Sequence, residues 1–271
     1  MVASSKQSPE SLVNNLANSK KALTAGVPLE TITDIIESEL KNQKNIREAE
    51  SASRRKLHNL VAPWLDELDY VQAAGLIPAD FPEDLASRRE FCTTILNGHA
   101  STKERIPILD RFYQTLFEVT GAPHSILDLA CGLNPFSIPW MNLPEDIQYH
   151  AYDIHQARID LINRFLAALH MPALAEHRDI LVHPPEIEAD VAFFFKEAHR
   201  FEQRKKGCNR PFFRAIRARW LLVSLPATSL SGKHRLADGW RNFMQAQISG
   251  EPWQLQEVEF KTEIVFCIRK G

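Results

Sequence analysis

Three aspartates stand at or near the ends of three consecutive segments that have the composition of β-strands: Asp128, Asp153 and Asp179. A single aspartate in such a place most often caps the helix that follows it. Three in succession indicate a ligand site, because parallel strands bring their carboxyl ends to one edge of a sheet, where α/β proteins bind nucleotides. Carboxylates at that edge could accept hydrogen bonds from the hydroxyl and amino groups of a ligand.

The first of these segments ends in a turn of small residues, Ala130-Cys131-Gly132, and Pro135 follows soon after. A dinucleotide site would need three glycines and room for a pyrophosphate, whereas S-adenosylmethionine has no phosphate and tolerates this poorer turn. Asp153 comes 21 residues after Gly132, which is the spacing of an acid that accepts hydrogen bonds from ribose. Asp179 could accept from the adenine amino group, so we predict S-adenosylmethionine as the cofactor.

The order of elements predicts a fold that brings these residues together. From Ser125 onward, strand-like segments alternate with stretches that could form helices. Two segments are nearly continuous apolar runs, as strands buried on both faces are, and the last two resemble an antiparallel hairpin at a sheet edge. We predict a doubly wound α/β fold with a seven-stranded, mostly parallel sheet. The predicted strands are Ser125–Leu129, Gln148–Asp153, Glu176–Asp179, Asp190–Phe195, Trp220–Leu225, Gln254–Phe260 and Lys261–Arg269.

The first hundred residues have the periodicity of helices. Apolar residues repeat at helical spacing from Leu29 to Leu40 and from Leu57 to Leu68. The segment Ser101-Thr102-Lys103-Glu104 has the form of a capping box, which predicts a helix starting there with Arg105 in its first turn. A cation is unfavourable at that end of the helix dipole, and the binding of an anion would explain its presence.

Composition excludes several classes of protein and site. The net charge is −2, yet basic residues concentrate between Lys41 and Lys56 and between Arg200 and Arg219. Such clusters are most often solvated helix faces, but two of them on a near-neutral protein fit localised phosphate binding better. The scattered cysteines and histidines have no metal-ligand spacing, so no metal is expected. With no apolar run of ~20 residues and no signal-like N-terminus, we expect a cytoplasmic monomer without membrane contact.

Several motifs form a set that extends over roughly residues 45 to 271. They are Arg55-Lys56-Leu57-His58, His99-Ala100-Ser101-Thr102-Lys103-Glu104-Arg105, Leu127-Asp128-Leu129-Ala130-Cys131-Gly132-Leu133-Asn134-Pro135, Asp153-Ile154-His155-Gln156, Asp179-Ile180-Leu181, Asp190-Val191-Ala192, Phe195-Lys196, Ser224-Leu225-Pro226 and Ser229-Leu230-Ser231-Gly232. Together they resemble the aminoglycoside-resistance methyltransferases that modify guanine N7 in the decoding site of 16S ribosomal RNA.

The resemblance implies a helical N-terminal domain, residues 1–97, that docks on the small ribosomal subunit, followed by a Rossmann-like methyltransferase domain, residues 98–271. It also implies that Arg105 binds the methionine carboxylate of the cofactor. The residues expected to bind the cofactor are Arg105, Asp128, Ala130, Gly132, Asp153, Ile154, Asp179, Ile180 and Phe195. The residues expected to bind RNA are Arg54, Arg55, Lys56, Lys233 and Arg235.

The chain departs from that family's pattern on the side expected to face the target. Thr228 stands where a basic residue is usual, and Lys233–Ala237 replaces a Gly-Met turn. Glu197-Ala198-His199 replaces an apolar Leu-Leu-Pro. Methyl transfer is therefore a firmer expectation than the target.

The expected reaction needs no general base, because guanine N7 has a free lone pair. Catalysis would consist of aligning N7 with the methyl group and excluding water, after the base has been flipped out of folded RNA. Lys196, at the end of the fourth strand, is the candidate for contacting the target base. The alternatives are an S-adenosylmethionine-dependent methyltransferase acting on another RNA position or on a small molecule, and a non-catalytic RNA-binding relative.

Overall fold

The computed structural model of the chain describes residues 8–62, 68–78, 80–227 and 237–270. Seven strands form one sheet in the order β3-β2-β1-β4-β5-β7-β6. The first five strands in sequence are parallel, and β7 pairs antiparallel with both β5 and β6. The strands are β1 Ser125–Leu129, β2 Gln148–Asp153, β3 Ala175–His177, β4 Ala189–Phe195, β5 Ala218–Pro226, β6 Gln254–Glu259 and β7 Glu263–Arg269. The predicted fold class is confirmed.

Helices cover the sheet and form the N-terminal part of the chain. They are α1 Pro9–Ala17, α2 Lys20–Ala25, α3 Leu29–Asn42, α4 Ile46–Val61, α5 Tyr70–Leu76, α6 Leu85–Leu96, α7 Ala100–Arg105, α8 Leu109–Thr120, α9 Gln156–Ala168, α10 Ala198–Arg204, α11 Asn209–Ala215 and α12 Ala237–Ile248. Short 3₁₀ segments occupy Ile106–Ile108 and Asn134–Trp140.

Two hydrophobic cores flank the sheet, and a third lies within the N-terminal helices. Helices α1 to α4 pack around Leu12, Ile32, Leu57 and their apolar neighbours. Helices α5 and α6, in contrast, place apolar side chains such as Ile95 in the same core as strands β1 and β4. The described residues among the first hundred are therefore mainly helical, as expected, but α5 and α6 are packed with the sheet. Trp64 and Leu65, from the predicted apolar stripe, lie outside the described residues.

The third predicted strand and the predicted capping box differ from the structure. Strand β3 ends at His177, so Asp179 lies two residues beyond it. Helix α7 begins at Ala100 and is capped by His99, whose Nδ1 accepts from the backbone N–H of Ser101 at 3.3 Å. The capping-box prediction was wrong because His99 provides the cap two residues earlier than Ser101. Arg105 consequently ends the helix, where a cation is favourable.

Candidate active site

The turn after β1 is held in a conformation that few side chains adopt. Ala130 and Gly132 both have positive φ, at 53° and 54°. An alanine in this left-handed region costs roughly 1–2 kcal/mol, and such strain is concentrated at functional sites. The backbone N–H of Cys131 donates to the carbonyl of Tyr152 at 2.9 Å, and that of Gly132 donates to Asp153 Oδ2 at 3.0 Å. The turn is thereby fixed to the end of β2.

Asp128 holds the segment that follows this turn. Its Oδ2 accepts from the hydroxyl of Tyr149 at 2.6 Å and from Asn134 Nδ2 at 2.9 Å, and Asn134 belongs to the segment that follows the turn. Asp128 is fully buried and is not among the residues that line the cavity above. Burial raises the pKa of Asp128 to about 7.

The raised pKa of Asp128 predicts a pH dependence of stability. An acid whose pKa is raised on folding stabilises the fold most when it is protonated, so its contribution declines as the pH rises from about 4 towards 7. Asp128→Asn keeps one oxygen as an acceptor but cannot ionise. We expect the variant to lose less free energy of unfolding than the wild type between pH 4 and pH 7. Denaturant titrations at several pH values measure this, and parallel curves for the two proteins would contradict it.

Arg105 is held between a carboxylate and two aromatic rings. Its Nε and Nη2 donate to the two carboxylate oxygens of Glu263, both at 2.8 Å, and its Nη1 donates to Asn134 Oδ1 at 2.7 Å. The guanidinium carbon lies 4.6 Å from the ring centroids of both Phe112 and Phe195. These bonds use three of the five guanidinium N–H groups, and Tyr113 also interacts with the guanidinium. At most two N–H groups are left for a ligand carboxylate.

Asp153 ends β2 and connects the turn to helix α9. Oδ2 accepts from Gly132 and from Arg158 Nη1 at 2.9 Å, and Oδ1 accepts from the backbone N–H of His155 at 2.9 Å. Burial opposes ionisation of Asp153, but the charge and hydrogen bond of Arg158 hold its pKa below the ordinary value. Asp153 is therefore a charged acceptor that faces the cavity.

Asp179 is bound from both sides. Its Oδ1 accepts from the backbone N–H of Leu181 at 3.0 Å. Its Oδ2 accepts from the hydroxyl of Thr31 at 2.7 Å and lies 2.7 Å from Arg204 Nη1. Thr31 belongs to α3, so the N-terminal helices contact this end of the site.

Arg105, Asp153 and Asp179 line an open cavity at the carboxyl ends of β1, β2 and β4. Its empty space, including open solvent at the mouth, is about 1190 Å³. The predicted cofactor-binding residues that line it are Arg105, Ala130, Gly132, Asp153, Ile154, Asp179, Ile180 and Phe195. Additional lining residues, which the sequence did not single out for this role, include Ile35, Asn59, His99, Asn134, Arg158, Glu197, Arg200 and Arg204.

His99 lines the cavity beside the glycine turn. A Cβ atom added to Gly132 would lie 3.4 Å from His99 Nε2, so the ring and the turn are nearly in contact. Burial is the main reason that the pKa of His99 is lowered to about 3. The imidazole is therefore neutral at physiological pH and adds no charge to the cavity.

Lys196 lies directly after β4 but outside the lining of the cavity. Its Nζ pairs with Glu104 Oε2 at 2.7 Å and donates to the carbonyl of Ser101 at 3.4 Å. Its φ is 59°, in the left-handed region. In this arrangement Lys196 connects the end of β4 to α7, which carries Arg105.

The residues predicted to bind RNA have different environments. Arg54 and Arg55 are exposed on α4, and Arg54 forms a surface pair with Glu50 at 2.8 Å. Lys56 points inward, where its Nζ lies 2.6 Å from Glu39 and 2.9 Å from the carbonyl of Arg204. Thr228, Lys233 and Arg235 lie outside the described residues.

Many residues of the second basic cluster form ion pairs or hydrogen bonds within the chain, and several of these pairs lie at the surface. Arg200, Arg204, Lys205, Arg214 and Arg219 pair with acids, and Arg210 donates to two backbone carbonyls. Across the described ranges, no group of three or more His, Cys, Asp or Glu side chains could hold a metal ion. The described helices are all too short or too polar to span a membrane.

Several known proteins are similar in sequence to this chain. A 16S rRNA (guanine(1405)-N(7))-methyltransferase of Frankia casuarinae is 27% identical over 99% of this chain and 96% of its own length. One of Proteus mirabilis is 30% identical over 69% of this chain and 71% of its own. One of Micromonospora rosea is 29% identical over 65% of this chain and 64% of its own.

Solved structures of 16S rRNA methyltransferases have the same fold. The superposition with the 16S rRNA methylase RmtB covers 98% of this chain and 99% of RmtB, with a TM-score of 0.78 and 22% identity. RmtF in complex with S-adenosyl-L-homocysteine gives a TM-score of 0.75 at 24% identity, with 97% of this chain and 98% of that one covered. The model of the ribosomal RNA methyltransferase (FmrO) family matches residues 20–267, and the chain belongs to that family.

Proposed function

We propose that this chain transfers the methyl group of S-adenosylmethionine to N7 of a guanine in the decoding site of 16S ribosomal RNA, which would give resistance to aminoglycosides. The observation that carries the proposal is the cavity at the carboxyl ends of β1, β2 and β4, in a member of a ribosomal RNA methyltransferase family. The names of the relatives from Frankia casuarinae and Proteus mirabilis support the choice of guanine N7.

The donors and acceptors of the cavity fit this cofactor. Asp153 is a charged acceptor suited to ribose hydroxyls, and Asp179 could accept from the adenine amino group. Ile154 and Ile180 supply apolar surface for the adenine ring. Arg105 has at most two N–H groups left that could bind the methionine carboxylate, and Asp128 would act indirectly by holding Asn134 and the turn.

When bound, S-adenosylmethionine would supply a methyl group on a positively charged sulfur. In the transfer, a bond forms between guanine N7 and the methyl carbon as the carbon–sulfur bond breaks and its electron pair returns to sulfur. The protein's part is to align the two molecules and exclude water. Phe195, at the end of β4, would close the apolar side of the cavity, and we propose that Lys196 leaves Glu104 to contact the target base.

We further propose that residues 1–97 dock the enzyme on the small subunit. Arg54 and Arg55 are exposed there, and the surface pair of Arg54 with Glu50 contributes little. Lys56 is half-buried and paired with Glu39, so it would support α4 rather than contact RNA. Residues 98–271 would carry the catalytic site, with α5 and α6 packed against them.

Labelled methyl transfer to intact small ribosomal subunits tests the proposal. The expected result is one labelled guanine in the decoding site, with chemical cleavage at the N7-methylated position. Label at another nucleotide would favour a different RNA target. Absence of label on any ribosomal particle, with calorimetric binding of S-adenosylhomocysteine intact, would contradict the RNA target alone.

The ribose contact gives a prediction for Asp153→Asn. The variant keeps one acceptor oxygen but loses the charge, and a hydrogen bond to a charged group is worth about 1.5–3 kcal/mol. We expect S-adenosylhomocysteine to bind about ten-fold more weakly by titration calorimetry. The matched control is Asp190→Asn, which makes the same change at the opposite end of β4, where the carboxylate accepts from His124 and Ser125. An equal loss of S-adenosylhomocysteine affinity in both variants would show that Asp153 does not bind the ligand directly.

A further inference from the structure

The N-terminal helices reach into the cavity through helix α3. Ile35 of α3 lines the cavity, and one turn earlier the hydroxyl of Thr31 donates to Asp179 Oδ2 at 2.7 Å. Asp34, on the same helix, lies 3.0 Å from Arg204 Nη2 and 3.3 Å from Lys205 Nζ. Helix α3 is therefore bonded to the part of the cavity that contains Asp179.

Asp179 is held in a single orientation by these contacts. It is almost fully buried, and three donors bind it: Thr31 and Arg204 on Oδ2, and the backbone of Leu181 on Oδ1. A carboxylate has about four acceptor positions, so one remains, on Oδ1. That remaining position can receive the amino group of a ligand only if the other three donors keep the carboxylate in place.

Arg204 has a donor that the protein leaves unsatisfied. Nη1 binds Asp179 and Nη2 binds Asp34, while its buried Nε has no hydrogen-bond partner within the described part of the chain. Arg204 lines the cavity. A buried donor without an acceptor is costly, and a ring nitrogen of a bound heterocycle would satisfy it.

We propose that Thr31, Asp34 and Arg204 form a clamp by which the N-terminal helices position Asp179 for the adenine ring of the cofactor. In this arrangement Asp179 accepts from the adenine amino group, and Arg204 Nε donates to a ring nitrogen. Thr31 and Asp34 are positioning residues that act through their partners. The inference rests on the proposed cofactor, and it makes cofactor affinity depend on helix α3, which precedes the exposed arginines of α4.

Calorimetric titration of the full-length chain with S-adenosylhomocysteine tests the clamp. Thr31→Val has nearly the same shape as the wild type but cannot donate to Asp179, and we expect binding about five- to ten-fold weaker. Thr31→Ser retains the hydroxyl and should bind within about two-fold of the wild type. Asp34→Asn should weaken binding less than Thr31→Val, because it acts only through Arg204.

A second ligand separates positioning from general loosening of the fold. S-inosylhomocysteine has a carbonyl oxygen in place of the adenine amino group and a hydrogen on ring nitrogen N1. It therefore cannot donate to Asp179 from the amino position, and its N1 cannot accept from Arg204 Nε. The wild type should bind it much more weakly than S-adenosylhomocysteine. Thr31→Val should narrow the difference in affinity between the two ligands. Loosening of the cavity as a whole would instead weaken the binding of both ligands equally.

The outcomes distinguish this inference from the function on which it rests. If the wild type binds S-adenosylhomocysteine but Thr31→Val and Asp34→Asn bind it equally well, the clamp is overturned and the proposed function stands. If the wild type gives no binding heat, the proposed cofactor and the clamp are both overturned. Thermal melting of each variant checks that it is folded, and Arg214→Lys, at a surface pair with Glu251, is the control for an unrelated ion pair.

Discussion

Arg105→Met is expected to lower the free energy of unfolding by about 3–5 kcal/mol, the cost of removing one partner of a buried ion pair. Glu263 is fully buried, and two of its hydrogen bonds come from Arg105. Methionine fills most of the space of the arginine stem but leaves the Glu263 carboxylate without a countercharge. Denaturant titration at neutral pH measures the loss.

The double variant Arg105→Met, Glu263→Gln is the control. It removes the charge that the single variant leaves uncompensated, so much of the lost stability should return. Cofactor affinity should not return, because the N–H groups proposed to bind the methionine carboxylate are absent from both variants. Full recovery of S-adenosylhomocysteine binding in the double variant would show that Arg105 is purely structural.

The same pair makes stability depend on acid pH. Burial opposes ionisation of Glu263, but the charge and hydrogen bonds of Arg105 hold its pKa below the ordinary value. A carboxylate whose pKa is lowered on folding stabilises the fold at neutral pH, and this contribution is lost as the pH falls through its folded pKa. The double variant should therefore be less sensitive to acid than the wild type.

The sequence allowed the sheet and the strand-end acids to be predicted because both depend on local patterns. The alternation of strand-like and helix-like segments located β1, β2 and β4 within one residue, and parallel pairing then required Asp128 and Asp153 to approach each other. The role of Asp128 was less accessible, because an acid that binds a ligand and one that holds a turn look the same in sequence. Only the contacts with Asn134 and Tyr149 distinguish them.

The partners of Arg105 and Asp179 could not be predicted, because they come from distant parts of the chain. Glu263 is 158 residues from Arg105, and Thr31 is 148 residues from Asp179. No periodicity relates such positions, and only the assembled fold brings them together. The argument from the helix dipole also failed, because His99 caps the helix earlier than expected and Arg105 lies in the last turn.

Charge reversal on α4 should produce the largest change in binding to the small subunit. Arg54 and Arg55 are exposed on that helix, as are Arg47 and His58. If they neutralise RNA phosphates, Arg54→Glu together with Arg55→Glu should weaken subunit binding by about ten- to a hundred-fold at physiological salt, through lost counterion release and added repulsion. Binding of S-adenosylhomocysteine should remain unchanged, because neither residue lines the cavity.

The salt dependence identifies the cause of this loss. Each phosphate contact removed should lower the slope of log affinity against log salt by about one, so the double reversal should lower it by about two. Arg111→Glu together with Arg164→Glu is the matched control, since it reverses two exposed arginines on the helices that cover the sheet. If docking is local to the N-terminal helices, this control will bind the subunit nearly as the wild type does. Equal weakening in both double variants would mean that overall charge, and not α4, governs binding, and the docking role of residues 1–97 would then be wrong.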